Sequence, residues 1–558
     1  MSSDECEFVI VGAGSSGCAI ASRLSEHPDT RVTLLEAGPR DTSFWIHLPI
    51  GYGKTMWSDA VNWRFYTEPE PNMAGRRIYW PRGRVLGGSS SINGLIAIRG
   101  QQEDYERWHA LGNPGWSWRD VLPYFKRLES NDLGPAGGLH GTTGPLAVTS
   151  IRRPHPLIEA VIAAAESLGV HRTRDFNGAR QEGVGYYQLT TRNGLRVSAA
   201  KAYLRPAHGR SNLQVVTSAY ATGIVMSRRR AVGVRFLHKG VERTIRATRG
   251  VILSAGALQS PQLLMLSGIG PAAHLATHGV SVLVDRPEVG RNLQDHLQVR
   301  LIYRCKRPIT TNDQLNSWIG RARIGLQWAL ARSGPLAVGI NQGGLFTRVL
   351  PQSLTPDIQF HIATLSADMA GGAVHPFSGC TLSVCQLRPE SRGHLELASP
   401  DPLQAPRMHA NYLDAETDRR CAIAAVGFAR KLAATRPLAD EIAEEVLPGT
   451  RARTEEDLLT FARQNGATIF HPSGTCRMGS DDGAVVDPRL RVRGVEALWV
   501  ADCSIMPTLV SGNTNLPAIM IGEKAADMIC ADAKPRAITA RTQGVEGVPA
   551  RMEANSMG

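Results

Sequence analysis

A glycine-rich turn near the N-terminus has the residue types and the spacing of a pyrophosphate site. It follows an apolar, strand-like run at 8–11 and precedes a segment of helical character. A strand, a tight turn and a helix in this order direct bare backbone N–H groups and the positive end of a helix at one point. The first glycine allows the turn, the second lets phosphates approach, and the third lets the helix and strand pack. The candidate contacts in this motif are Gly12, Gly14, Ser15, Ser16 and Gly17.

A carboxylate follows this turn at the distance expected for a ribose contact. The strand-like run at 31–36 ends in Glu36, about 20 residues after the glycines. A glycine turn in an ordinary βαβ unit is the alternative, but the strand, helix and carboxylate together favour a dinucleotide site. These residues do not separate NAD from FAD, since both contain an adenosine pyrophosphate. Glu36 argues against NADP, because it would repel the 2′-phosphate.

A second cluster of small residues follows at 83–94. Gly87 and Gly88 precede three serines at 89–91 and then Asn93. One interpretation is a serine-capped helix that starts near Ser90. The other is a second contact with an anion or with the cofactor.

Two segments near the C-terminus contain residues that could do chemistry. His471 lies among turn-forming residues, with no helical or strand periodicity that would bury it. A lone histidine is more often structural, whereas a neutral imidazole beside a bound substrate is a general base. Asn513 and Asn515 lie between a strand-like run and an apolar helix, where capping is the simplest role.

The elements around these motifs predict a mixed α/β protein, with a Rossmann-like dinucleotide-binding domain and a sheet-and-helix substrate domain. We expect the first domain at 1–300, with a covering segment rich in Trp, Pro and Gly at 41–80. Residues 301–464 contain no nucleotide motif and predict the substrate domain. Residues 465–533 regain glycine motifs, so we expect a return to the first domain with the active site. Residues 534–558 lack periodicity and are expected to form a flexible tail.

The net charge and the periodicity of the sequence limit the kinds of molecule that the protein is expected to bind. The 558 residues include 42% hydrophobic and 20% charged residues, which is typical of a globular protein, and the net charge is +12. Residues 212–253 predict an antiparallel meander, with Arg228–Arg230 at a turn. We interpret this arginine cluster as a solvated turn rather than a lipid or nucleic-acid contact. No aromatic residues alternate with a basic stripe, so nucleic-acid binding is not expected.

Cysteine usage and hydropathy indicate a cytoplasmic protein. The nine cysteines are scattered without a C-x-x-C pair, which favours reduced thiols and offers no metal-ligand spacing. The acidic N-terminus lacks the features of a signal peptide, and no apolar run reaches the ~18 residues of a membrane span. Peripheral contact with the inner face of a membrane stays open.

Taken together, the motifs resemble those of glucose–methanol–choline (GMC) flavoprotein oxidoreductases, closest to choline and aliphatic alcohol dehydrogenases. The resemblance covers about residues 5 to 530 and rests on four motifs in order. They are the glycine turn at 12–17, Gly83–Asn93, Gly256–Pro271, and the segments around His471 and Asn513. The resemblance implies FAD rather than NAD.

The resemblance also implies roles for individual residues. His471 matches the active-site histidine of the family, and Asn513 matches a second active-site position that is His or Asn. Some members attach FAD covalently through a histidine at the position of Ile92, so FAD is expected to bind non-covalently here. The further positions that match cofactor contacts are Val85, Gly88, Ser89, Asn93, Gly94, Ala221 and Asp502.

The implied reaction is oxidation of a primary alcohol to an aldehyde, with electrons passed from FAD to a quinone-type acceptor. His471 would take the hydroxyl proton, and Asn513 would hold the substrate oxygen. Gln342 is placed where choline-type members have a Glu, which favours an uncharged alcohol over choline. An oxidase that uses oxygen, a lyase of the same fold and a flavin-binding relic are the other hypotheses.

Overall fold

Two seven-stranded sheets dominate the computed structural model, which describes residues 5–369 and 371–533. The tail predicted at 534–558 lies outside the described residues. The mixed α/β class predicted from the sequence is confirmed. The division of the chain into domains stays a prediction.

The first sheet has a parallel core built on the N-terminal strand. Glu5–Val11 lies between Val32–Leu35 and the second half of Val241–Leu253. Leu213–Val216 and Leu498–Val500 flank these strands, also in parallel. Apolar runs such as Val32–Leu35 are buried on both faces, as a covered parallel sheet requires. The carboxyl ends of the core strands therefore meet at one edge, where ligands bind in such sheets.

An antiparallel extension continues this sheet. Ala219–Ser227 and Arg230–His238 form a hairpin, and Arg230–His238 pairs in turn with the first half of Val241–Leu253. The meander predicted at 212–253 is thus confirmed from Ala219 onward, whereas Leu213–Val216 pairs in parallel with Val32–Leu35 instead. Arg228, with a positive φ of 54°, forms the exposed turn expected there.

The second sheet is antiparallel throughout and is not confined to 301–464. Its two additional strands come from outside that range: Gly183–Tyr186 at one edge and Ala467–Thr468 beside Leu297–Cys305. The strand order is Ile442–Leu447, Leu297–Cys305, Gly379–Gln386, Ile358–Ala363, Asn341–Thr347 and Gly183–Tyr186.

Helices cover both sheets, and their ends carry the expected signals. Thr454 and Asp457 form a capping box at the start of one predicted helix, and Pro156 opens another. The helices of six or more residues are Ser15–Leu24, Gln102–Ala110, Trp118–Leu128, Pro156–Ser167, Gly256–Leu266, Ala272–Thr277, Trp318–Ala331, Glu416–Ala433, Glu455–Asn465 and Asn515–Ala533.

The C-terminal helix packs on the helix that follows the glycine turn. A Cβ on Gly522 would lie 2.6 Å from the Ser16 carbonyl oxygen, so the two backbones are in close contact. Glu523 is fully buried and accepts hydrogen bonds from Arg23 at 2.8 Å and from the Tyr203 hydroxyl at 2.6 Å. These contacts bring the last described helix back to the first sheet.

The covering segment at 41–80 is irregular, as its composition predicts. It contains two single-turn helices, Phe44–His47 and Tyr52–Thr55, and a short hairpin of Phe65–Tyr66 with Tyr79–Trp80. None of the helices in the described parts of the chain is both long and apolar enough to span a bilayer.

Two glycine substitutions test the packing at the glycine turn. A Cβ on Gly17 would lie 1.9 Å from the Gly12 carbonyl oxygen, whereas a Cβ on Gly427, in helix Glu416–Ala433, meets nothing within 4 Å. We expect Gly17→Ala to lower the free energy of unfolding by about 1–3 kcal/mol and Gly427→Ala to raise it by up to about 1 kcal/mol. Urea unfolding followed by circular dichroism measures both. Equal effects of the two substitutions would contradict this account of the turn.

Candidate active site

A cavity of about 1050 Å³ is lined by residues of both sheets and of the covering segment. This volume is at the upper end of the range for ligand pockets. The glycine turn lies at one part of the lining, and His471 and Asn513 lie at another. The fold therefore brings the two ends of the chain to one cavity.

The glycine turn forms a narrow cradle in the cavity lining. Gly12 has φ +98°, and a Cβ on Gly88 would lie 2.6 Å from Cα of Gly14, so the two glycine motifs touch. Helix Ser15–Leu24 starts here, and no side chain caps its first N–H groups. Such an end attracts an anion. Gly12, Gly14, Ser15, Ser16 and Gly88 all line the cavity, while Gly17 packs behind it.

Glu36 lines the cavity and also fixes the shape of the turn. Its carboxylate accepts hydrogen bonds from the backbone N–H of Ala13 at 3.0 Å and of Gly38 at 2.8 Å. Burial raises the pKa of Glu36 to about 7, although these two bonds favour the ionised form. The ribose contact stays a prediction.

The segment at 83–94 forms one 3₁₀ turn, Gly88–Ser91, rather than the longer helix expected from Ser90. The Oγ of Ser89 accepts from the N–H of Gly83 at 3.1 Å, which closes the loop on itself. Oδ1 of Asn93 accepts from Arg196 at 2.7 Å. Ser89, Asn93 and Gly94 line the cavity, and so does the aliphatic side chain of Ile92.

The remaining predicted cofactor contacts differ in position. Ala221 and Asp502 line the cavity. Asp502 follows strand Leu498–Val500, and its carboxylate accepts from the N–H of Gly256 at 2.9 Å and from the hydroxyl of Ser260 at 2.6 Å. The side chain of Val85 lies outside the lining, in a small apolar cluster, so any cofactor contact would come from its backbone.

Asn513 is held beside His471 from the second sheet. Its Nδ2 lies 3.4 Å from Nε2 of His471. Its Oδ1 accepts from Gln359 at 3.0 Å, and Gln359 is itself 2.9 Å from the hydroxyl of Tyr187. Because the carbonyl of Asn513 is occupied by Gln359, its N–H₂ group is directed toward the imidazole and the cavity.

A chain of hydrogen bonds sets the tautomer of His471. Nε2 of His296 lies 3.0 Å from the carbonyl oxygen of Leu387, which can only accept, so this nitrogen carries a proton. Neutral His296 then has a bare Nδ1, which lies 2.9 Å from Nδ1 of His471. His471 must therefore donate from Nδ1. Its Nε2 therefore carries no proton, and its lone pair is directed toward the N–H₂ group of Asn513.

The surroundings keep all three imidazoles of the site neutral. Burial, with smaller contributions from His296, His361 and Arg82, holds the pKa of His471 well below its ordinary value. Burial likewise lowers the pKa of His296 and of His361 to about 4. At neutral pH the site thus presents an unprotonated base.

Asp295 holds the backbone of His471. Its carboxylate accepts from the N–H of His471 at 2.7 Å and from the hydroxyl of Tyr412. Tyr412 in turn accepts from the indole N–H of Trp80 at 3.0 Å. Burial raises the pKa of Asp295 to about 6.

Sequence reasoning missed His296, His361, Asp295 and Gln359. The adjacent pair Asp295 and His296, just before strand Leu297–Cys305, was the available signal, since two such groups are rarely buried without a partner. His361 and Gln359 lie inside a strand, and no local pattern distinguishes them from other strand residues.

One face of the second sheet forms a wall of the cavity. Gln298 and Arg300 alternate with buried neighbours along one strand, and Ser383 and His361 lie on the next two. Gln342 hydrogen-bonds Thr364 at 3.4 Å and does not line the cavity, so the preference for an uncharged alcohol that its place in the sequence indicates stays a prediction. The carboxylates among the described lining residues are Glu36 and Asp502.

The fold also gathers a potential metal-ligand group that sequence spacing did not reveal. His394, Glu396 and His409 place ligand atoms within 4.8 Å of one another on a two-stranded hairpin. Arg291 lies 3.8 Å from Glu396 and competes for its charge. This group does not line the cavity.

Comparison with known proteins gives a consistent family match. A family model described as GMC oxidoreductase matches residues 6–298, and a second one of that description matches residues 389–522. An alcohol dehydrogenase (acceptor) of Pseudomonas putida is 42% identical over 94% of this chain and 95% of its own length. An oxygen-dependent choline dehydrogenase of Brucella suis biovar 1 is 43% identical over the same shares.

Solved structures agree. Pyridoxine 4-oxidase from Mesorbium loti matches with a TM-score of 0.85 and 32% identity, over 94% of this chain and 98% of that one. A formate oxidase variant of Aspergillus oryzae RIB40, studied for FAD modification, matches with a TM-score of 0.88 and 26% identity, over 96% and 99%.

The Asp295 carboxylate gives a test of the site's electrostatics. Its pKa is raised in the folded protein, so ionisation costs stability, and the cost grows as the pH rises from about 4 to about 7. Asp295→Asn keeps an acceptor for His471 and removes this cost. We expect the stability of the variant relative to the wild type to increase by about 1–3 kcal/mol over that range. Denaturant unfolding at several pH values measures it, and a difference independent of pH would contradict the assignment.

Proposed function

Because the chain belongs to the GMC oxidoreductase family, we propose that it uses FAD to oxidise a primary alcohol to an aldehyde. The observation that carries the proposal is the bare Nε2 of His471, beside Asn513, in the same cavity as the glycine cradle. A neutral base at one part of a cavity and a pyrophosphate cradle at another are what this reaction needs.

The residues of the cavity fit FAD. The uncapped start of helix Ser15–Leu24 and the close approach of Gly14 and Gly88 suit a pyrophosphate, and Glu36 is the candidate ribose contact. The aliphatic Ile92 offers no nucleophile, which supports non-covalent binding. When bound, FAD supplies the acceptor for the hydride, which carries both electrons of the oxidation.

His471 is the proposed general base. An alcohol releases a hydride poorly while its oxygen keeps the proton, and transfer of that proton to Nε2 of His471 removes this barrier. General-base catalysis of this kind contributes ~10²–10⁴-fold. The proton stays on Nε2 as the hydride leaves the carbinol carbon, and the product is an aldehyde. Because the pKa of His471 is held low, the imidazolium releases the proton readily.

Asn513 is the proposed positioning group for the substrate oxygen. Its N–H₂ group can donate to that oxygen, and Gln359 keeps the amide from rotating. A donor at this point also stabilises the negative charge that develops on the oxygen.

The wall of the second sheet favours an uncharged aliphatic or aromatic alcohol. Gln298 and Arg300 line it, and both carboxylates of the described lining belong to the candidate cofactor region. A trimethylammonium group would find no carboxylate on this wall, and cation sites usually need one or several aromatic faces. Choline is the second candidate, because several of the relatives are named choline dehydrogenases.

The electron acceptor we propose is a quinone, reached by a cytoplasmic protein in peripheral contact with the inner face of a membrane. The relative from Pseudomonas putida is named only by an unspecified acceptor, and the Brucella relative is named oxygen-dependent. Peroxide formed during turnover in air would identify an oxidase instead.

Anaerobic flavin bleaching tests the function. We expect alkanols or benzyl alcohol to bleach the bound FAD of the wild type faster than choline does. His471→Ala should slow this bleaching by ~10²-fold or more while FAD stays bound. Stopped-flow absorbance at the flavin bands measures both.

An unchanged rate in His471→Ala would refute the assigned base. Wild-type protein whose flavin is bleached by no alcohol, although FAD is bound, would favour a lyase of the same fold. The absorbance spectrum of each variant controls for FAD content.

A further inference from the structure

Helix Trp318–Ala331 exposes an apolar stripe. Trp318 is 78% exposed, Leu326 60% and Leu330 79%. At about 100° per residue, these side chains and Ile319 fall within an arc of about 120°. The opposite side of the helix packs inward, since Ile324 is buried and the indole of Trp328 donates to the carbonyl of Gly194 at 3.0 Å.

Exposed aromatic residues of the covering segment pack against the inward side of this helix. The ring of Phe44 lies 5.9 Å from that of Trp328, and Phe44 and Trp45 are both about half exposed. Trp45 and Ile324 also line the cavity. The helix that exposes the stripe therefore borders the cavity through Ile324. We define the stripe as the interfacial face: Trp318, Ile319, Leu326 and Leu330.

The charged residues of this helix have one sign. Arg321 and Arg323 flank the stripe on the helix, on either side of the apolar arc. No Asp or Glu occurs between Asp313 and Asp357, a stretch that contains the whole helix. An apolar helix face with arginines along its borders is the pattern of helices that lie in the surface of an anionic bilayer.

We propose that the interfacial face docks on an anionic lipid bilayer and sets the cavity at the membrane surface. A second copy of this protein fits the face less well than a membrane does. In a twofold-symmetric dimer, Arg321 and Arg323 of one copy would lie against the same arginines of the other. This face would make the peripheral membrane contact that is part of the proposed function, and its role in catalysis rests on that proposed function. Lipid binding itself can be measured without turnover.

Flotation of the FAD-loaded protein with vesicles tests the proposal. One set contains phosphatidylcholine alone, and the other contains phosphatidylglycerol as well. We expect the wild type to float with the anionic vesicles, and the partition coefficient of the Leu326→Ser, Leu330→Ser double variant to fall at least about tenfold. Val241→Ser with Leu354→Ser, two exposed apolar residues elsewhere, is the matched control and should float like the wild type.

Three results would overturn the proposal. The wild type could fail to float with either set of vesicles, or the Leu326, Leu330 variant could float as well as the wild type. As a third result, light scattering could find that the wild type is a dimer and the variant is not, while neither binds vesicles. The face would then be the interface between two copies of this protein. Anaerobic flavin bleaching by a water-soluble alcohol is the control for folding and for the proposed reaction. An unchanged bleaching rate in the variant shows that it has lost docking alone.

Discussion

The hydrogen bond between the Leu387 carbonyl and Nε2 of His296 decides which nitrogen of His471 is free. A carbonyl oxygen cannot donate, so the proton positions of both imidazoles follow from one backbone group. The bond is effective because the site is buried, since burial lowers the pKa of His296 to about 4 and keeps its Nδ1 bare. A fixed backbone atom of the second sheet region thus prepares a base in the loop that carries His471.

The cofactor cradle and the proposed base are contributed by distant parts of the chain. The parallel core of the first sheet opens its carboxyl edge at the glycine turn, and Asp502 follows a later strand of the same sheet. The second sheet forms a wall of the cavity, and its residues Gln359 and His361 lie near the base. Neither sheet alone contains a cofactor cradle, a base and a substrate wall. Helix Asn515–Ala533 returns to pack on helix Ser15–Leu24 and contributes Asn515 and Ala518 to the lining of the cavity.

The sequence was most informative where backbone conformation demands a particular residue. Gly12 and Gly88 have positive φ, and the spacing around them predicts the cradle. Long periodic helices and the antiparallel strands from Ala219 onward were predicted equally well, whereas the parallel pairing of Leu213–Val216 was not. The groups around His471 were not, because His296, His361 and Gln359 are brought to it by pairing across a sheet, which no local pattern encodes. Asn341 lines the cavity and the adjacent Gln342 does not, because neighbouring residues of a strand point to opposite faces.

The central claim is that His296 holds His471 in the tautomer that leaves Nε2 bare. The rate of anaerobic flavin bleaching by a saturating alcohol in His296→Leu and His296→Gln, measured from about pH 6 to pH 9, tests it most directly. The glutamine amide supplies both an acceptor for His471 and a donor for Leu387, whereas leucine supplies neither. The account predicts a loss of at least about tenfold in the leucine variant across this range and recovery of most of the rate in the glutamine variant. A leucine variant with the wild-type rate at every pH would contradict it.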